Sequence, residues 1–151
     1  MKIVSNTSVL IALENIGRLE LLKKLFNEIL IPKAVAKEYG KPTPEWIRVL
    51  EVKNEHYVKI LKESLHTGEA EAIGLAISIK ANIILLDDKK ARDIAKRFGL
   101  KTIGSLGILI LARKRGLIAS LKDEFKLLIE RSFWLSQEVI NKAIEEVEEA
   151  Y

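Results

Sequence analysis

The chain has 151 residues, 48% hydrophobic and 30% charged, which suits one packed domain and argues against disorder. It has no cysteine and only two histidines, His56 and His66, which excludes disulfides, thiolate nucleophiles and cysteine-based zinc sites and leaves little for a histidine-rich metal centre. The net charge of +4 is compatible with a nucleic-acid partner, and no apolar run reaches the ~20 residues of a membrane span, so a soluble cytoplasmic protein without a secretory signal is expected.

Lys2 to Ser5 reads as a short strand. It ends at Asn6-Thr7-Ser8, whose short polar side chains can cap a helix carrying Val9, Leu10 and Leu13. A second helix is predicted from about Arg18 to Phe26, with Leu19, Leu21, Leu22 and Leu25 at helical spacing. Glu28 to Ile31 is the second strand, and Pro32 stands where a helix can start without losing a hydrogen bond. That helix carries Val35, Glu38 and Tyr39 and stops at Gly40, before a loop with Pro42 and Pro44. Trp46 to Leu50 reads as a short helix, Glu51 to Lys53 as a brief strand, and His56 to Leu65 as a helix. Thr67 is expected to cap a helix from Gly68 to Lys80. Asn82 to Leu86 is an apolar strand of the kind covered on both faces of a parallel sheet. A helix from Lys89 to Phe98, a strand at Lys101 to Ile103 and three helices, about 105–115, 121–131 and 137–150, complete the chain.

This alternation predicts a single α/β domain over residues 1–151, with helices on both faces of a mostly parallel sheet of about four to five strands. Sites in such sheets form beyond the carboxyl ends of strands, which singles out Asn6-Thr7-Ser8 and Asp87-Asp88.

An acidic pair at the end of an apolar strand is costly unless neutralised, and Mg²⁺ or Mn²⁺ favours carboxylate oxygens. Alternatively, Asp88 caps the next helix. Glu69 lies in the first turn of its helix, as a ligand or as a partner of the helix dipole. Glu71 points ~200° away around that helix, as a supporting or a solvent-facing group. Glu38 is electrostatically unfavoured near a helix C-terminus, which points to another role or to a solvated surface position. Asn6 can offer an amide oxygen or shape the turn, while Thr7 and Ser8 can cap the helix or hold a metal-bound water.

Four segments together resemble the PIN-domain superfamily, within it a prokaryotic subgroup related to VapC toxins. They are Ser5 to Ile11, Ile31-Pro32 to Glu38, Gly68 to Ala76, and Asp87-Asp88-Lys89-Lys90-Ala91-Arg92, with further likeness at 103–109 and 116–118. The resemblance implies a three-layer α/β/α fold and a metal-dependent endoribonuclease, with Mg²⁺ or Mn²⁺ as cofactor. It maps the family's four acidic positions to Asn6, Glu38, Glu69 and Asp88, with Asp87 and Glu71 as near alternates and Ser8 as the hydroxyl beside the metal. The first position departs from the family, which carries aspartate there. An amide can lend an oxygen but cannot act as a base, so a weakened nuclease, a binding module without catalysis and an engineered change all fit.

RNA is the expected partner. Lys89, Lys90 and Arg92 follow the acidic pair and can hold phosphates, unless they form an ordinary solvated helix face. Phe133, Trp134 and Trp46 are expected in the core or at a dimer contact, and both histidines at the surface. The C-terminal segment from Val139 to Tyr151 is amphipathic and can pack on the domain, or meet a second subunit or an antitoxin protein.

Overall fold

The structure, a computed structural model, describes residues 1–53 and 55–147. Strand β1 (Ile3–Ser5) leads into α1 (Thr7–Asn15) and α2 (Leu21–Phe26), and β2 (Ile29–Pro32) into α3 (Lys33–Tyr39). β3 (Ile47–Leu50) is followed by α4 (Glu55–Leu61) and α5 (Thr67–Ser78). β4 (Ile83–Leu85), α6 (Lys89–Arg97) and β5 (Lys101–Ile103) follow, then α7 (Ser105–Lys114), α8 (Leu121–Glu130) and α9 (Gln137–Glu146).

The five strands form one parallel sheet in the order β3-β2-β1-β4-β5. β1, β2 and β4 are buried along their whole length, because helices cover both faces of a parallel sheet and leave no solvated side for polar residues. The core joins Ile3, Val4, Ile31, Ile84 and Leu85 of the strands to Leu10, Leu13, Ile73, Leu75 and Ile108 of the helices. α5 packs against β1, β2 and β4, and its Gly74 makes room for Val58 of α4, whose Cγ2 would lie 2.6 Å from an added Cβ.

Chain order reverses beside β1: β2 and β3 extend to one side of it, β4 and β5 to the other. A sheet with this order has its crevice beyond the carboxyl ends of β1 and β4. Residues leaving those strands, Asn6 and Asp87-Asp88, therefore stand together, with the Asn6 N–H donating to the Leu85 carbonyl at 3.0 Å.

Several expectations are corrected. Ile47–Leu50 is an edge strand paired with β2, not a helix, and Glu51 to Lys53 is not a strand. The Ile-Arg-Val-Leu run is short for a helix nucleus, and its β-branched Ile47 and Val49 suit an edge strand paired on one side. Pro32 both closes β2 and stands at the N-cap of α3, as expected of a proline at a helix start. His66, not Thr67, occupies the cap position of α5. Trp134 is 82% exposed and so stands outside the core, while Trp46 and Phe133 are partly buried against it. The last helix is described to Glu146, and the expectation for 148–151 falls outside the described residues.

Arg18, in the turn before α2, grips Glu124 of α8 through Nε to Oε1 and through Nη2 to Oε2 at 3.2 Å. Glu124 is only 4% exposed, so removing its partner strands a carboxylate in the interior. Arg18→Ala is expected to destabilise the fold by about 2 kcal/mol, less than for a fully buried pair because the arginine is itself partly solvated. Chemical denaturation checks this figure.

Candidate metal centre

At the crevice lies a cleft of about 380 Å³ lined by Asn6, Thr7, Ser8, Glu38, His66, Glu69, Asp87 and Asp88. Each wall comes from a different element.

Glu38 projects from the last turn of α3. Thr7 Oγ1 donates to its Oε1 at 2.9 Å, tying α3 to the start of α1. Behind Glu38 stands Gly68, where an added Cβ would lie 1.8 Å from Oε1. The glycine therefore makes the space that the carboxylate occupies.

Asp87 is held on both oxygens. The Ser105 N–H donates to Oδ1 and its hydroxyl to Oδ2, each at 2.7 Å, from the first residue of α7. Ser105 is fully buried, and a Cβ at Gly104 would come within 2.8 Å of Oδ1. Asp88 caps α6 by accepting from the Ala91 N–H at 2.9 Å, so its capping reading holds while it also lines the cleft.

Glu69 accepts from the His66 N–H at 3.3 Å across the first turn of α5. Burial pushes its carboxyl above the usual range, against the His66 hydrogen bond, and the charges of Asp88 and Glu38 add to the rise. Asn6, 4% exposed, donates from Nδ2 to Ser8 Oγ at 3.4 Å, which leaves Oδ1 as its acceptor. Thr7 is the first residue of α1 and holds Glu38 instead of capping the helix.

Glu71 is not part of this cleft. Its Oε1 accepts from the Ala34 N–H at 3.2 Å, at the start of α3, and it borders a separate groove. The rotation of ~200° from Glu69 accounts for the separation. Lys89 and Lys90 lie in the groove that adjoins the cleft at Asp88, with Arg97. Arg92 approaches Gly104 behind Asp87, with Nη1 3.6 Å from where a Cβ would stand. Sequence reasoning missed Ser105, Gly68, Gly104 and the His66 cap. Ser105 was discoverable, since it follows the carboxyl end of β5 just as Asn6 follows β1.

Among the residues lining the cleft there is no lysine or arginine; Arg92 stands behind Asp87, outside the lining. Among the described residues, no three acidic or histidine side chains stand close enough to share one bare ion. Apart from His66 the lining side chains offer hard oxygens, which suits a hydrated Mg²⁺ or Mn²⁺ that keeps several waters and binds one or two carboxylates directly. Glu38, standing in the space Gly68 leaves, and Asp87 are the donors whose positions the surroundings fix. Among the described residues, no helix is long and apolar enough to cross a membrane.

No curated protein matches the chain. A family model described as "PIN domain", a nuclease-type domain, matches residues 2–149. With that match spanning nearly the whole sequence, and a five-stranded parallel sheet gathering acidic residues at its switch point, the chain belongs to the PIN domain family.

Proposed function

We propose that the protein is a divalent-metal-dependent endoribonuclease of the VapC-like toxin kind, weakened by Asn6. One observation carries this reading: four carboxylates, Glu38, Glu69, Asp87 and Asp88, share one cleft whose lining includes no lysine or arginine. That accumulation of negative charge calls for a cation. The adjoining groove of Lys89, Lys90 and Arg97 supports an anionic polymer as substrate.

One or two of Glu38, Glu69, Asp87 and Asp88 would hold a hydrated Mg²⁺ or Mn²⁺ directly and the others through its waters, with Asn6 Oδ1 and Ser8 Oγ beside them. When bound, the metal supplies a low-pKa water and stabilises charge on the phosphodiester. Thr7 and Ser105 keep Glu38 and Asp87 from turning to solvent, which conserves the geometry a phosphate must meet. Asn6 cannot accept a proton from water, so any proton transfer falls to a carboxylate or to His66. The sequence likeness to VapC toxins supports an antitoxin partner and self-association as parts of the same reading.

A second reading, a module that binds RNA or protein without cutting it, is favoured by Asn6 alone. An RNase assay comparing the protein with Asn6→Asp separates the two. Mn²⁺-dependent cleavage by the unmodified chain supports the nuclease. Cleavage only by Asn6→Asp supports the module, and cleavage by neither removes the nuclease reading.

The raised pKa of Glu69 gives a pH test. A carboxyl whose folded pKa lies above its unfolded value favours the folded state at low pH and loses that contribution as pH rises through the folded pKa. Metal-free protein is therefore expected to lose some thermal stability as pH climbs above the ordinary carboxylate value of about 4.5. Mn²⁺ prefers the ionised form, so the stabilisation it confers should grow over the same range. Thermal melts with EDTA and with Mn²⁺ check both slopes.

A further inference from the structure

Ser8 and Asp87 line more than the acidic cleft. They also border a second groove, of about 300 Å³, between α1 and the end of α8. Its walls are Ile11 on α1 and Leu128, Arg131 and Phe133 at the end of α8. Asp88, in turn, is shared with the groove of Lys89, Lys90 and Arg97. The apolar groove and the basic groove have no lining residue in common, and each meets the acidic cleft through a different aspartate.

The end of α8 is built to present its side chains. Ser132 takes a left-handed conformation, φ 70°, and the Phe133 N–H reaches back to the Leu128 carbonyl at 2.9 Å. This turn stops the helix and sets Phe133 into the groove wall. Arg131 is exposed, and no carboxylate among the described residues pairs with it. Ile11 is 40% exposed on the facing wall.

We propose that this groove receives one unpaired base of a single-stranded nucleic acid whose backbone crosses the acidic cleft. The proposal rests on the nuclease reading above and deepens it by assigning a base subsite to the groove between α1 and α8, outside the acidic cleft. A strand with one phosphate at the carboxylates must leave the cleft in two directions. One exit offers cations for phosphates. The other offers an aromatic ring, aliphatic walls and a single free guanidinium. A base buries its faces against such walls, and Arg131 meets the adjacent phosphate. A base held within a duplex stack cannot enter, so single strands are selected.

The test is anisotropy with a labelled single-stranded oligoribonucleotide, on a Glu69→Gln background that suppresses cleavage. Phe133→Ala is expected to weaken binding roughly tenfold, within the range for loss of one stacked base, while Phe133→Tyr retains it. Phe133 touches the core, so Arg131→Gln and Ile11→Asp, at exposed positions, must also weaken binding, and a duplex of the same sequence must compete poorly. If the background protein binds no oligoribonucleotide, the nuclease reading falls and the proposal with it. If it binds, but these variants bind equally well or the duplex competes equally, the subsite is overturned while the nuclease reading stands. If Ile11→Asp and Arg131→Gln convert a dimer to a monomer in sedimentation without changing RNA affinity, the groove is a self-association face and the proposal is overturned.

Discussion

Asn6→Asp is expected to tighten Mn²⁺ binding by roughly tenfold to a hundredfold and to raise RNase activity with it. The substitution changes one atom of a side chain that is 4% exposed and already turned towards Ser8 at the cleft. It adds a full negative charge to a site that holds Glu38, Glu69, Asp87 and Asp88. One more charge a few ångströms from a cation contributes ~1–4 kcal/mol, depending on how much water screens it. Without metal the same charge works against the fold. A fifth carboxylate meets the repulsion that, after burial, already raises the Glu69 pKa. Metal-free Asn6→Asp is therefore expected to melt below the unmodified protein, and Mn²⁺-loaded Asn6→Asp above it. Calorimetry gives the affinities and paired melts give the crossover.

Gly68→Ala is expected to separate stability from function in the opposite sense. The new methyl would sit 1.8 Å from Glu38 Oε1 and 2.8 Å from Cδ, so the carboxylate must leave its place. What moves is the end of a flexible, exposed side chain, so the fold survives. Alanine is also the better helix former, gaining a few tenths of a kcal/mol in the first turn of α5. The 2.9 Å bond from Thr7 to Glu38 is lost with the displacement. The melting temperature should hold or rise slightly while Mn²⁺ affinity falls by about tenfold or more. A variant that binds Mn²⁺ normally would show that the seat of Glu38 is irrelevant to the cleft.

The parts of this site that were legible in the sequence are those that follow from strand ends. A parallel sheet with a chain reversal puts residues after β1 and β4 together, and both runs, Asn6 to Ser8 and Asp87-Asp88, are read directly from apolar strands breaking into polar residues. The partners that hold the acids were harder to see. Ser105 reaches Asp87 across 18 positions and Thr7 reaches Glu38 across 31, and neither contact has a local pattern. Gly68 looked like a helix opener, yet its role is the volume it leaves for a residue on another helix. The edge strand Ile47–Leu50 escaped because four residues, Ile-Arg-Val-Leu, are too few to show a periodicity that tells strand from helix. Trp134 escaped for another reason. A tryptophan is read as core by its size, but the left-handed turn at Ser132 sends the chain outward and leaves it 82% exposed.

Everything proposed for the cleft of Glu38, Glu69, Asp87 and Asp88 depends on its binding a divalent cation. Calorimetric titration of Mn²⁺ into the unmodified protein and into Glu38→Gln tests it most directly. The unmodified chain is expected to bind saturably, and Glu38→Gln to bind at least about tenfold more weakly with its fold intact. Equal affinity in the two proteins, or no binding in either, would contradict it.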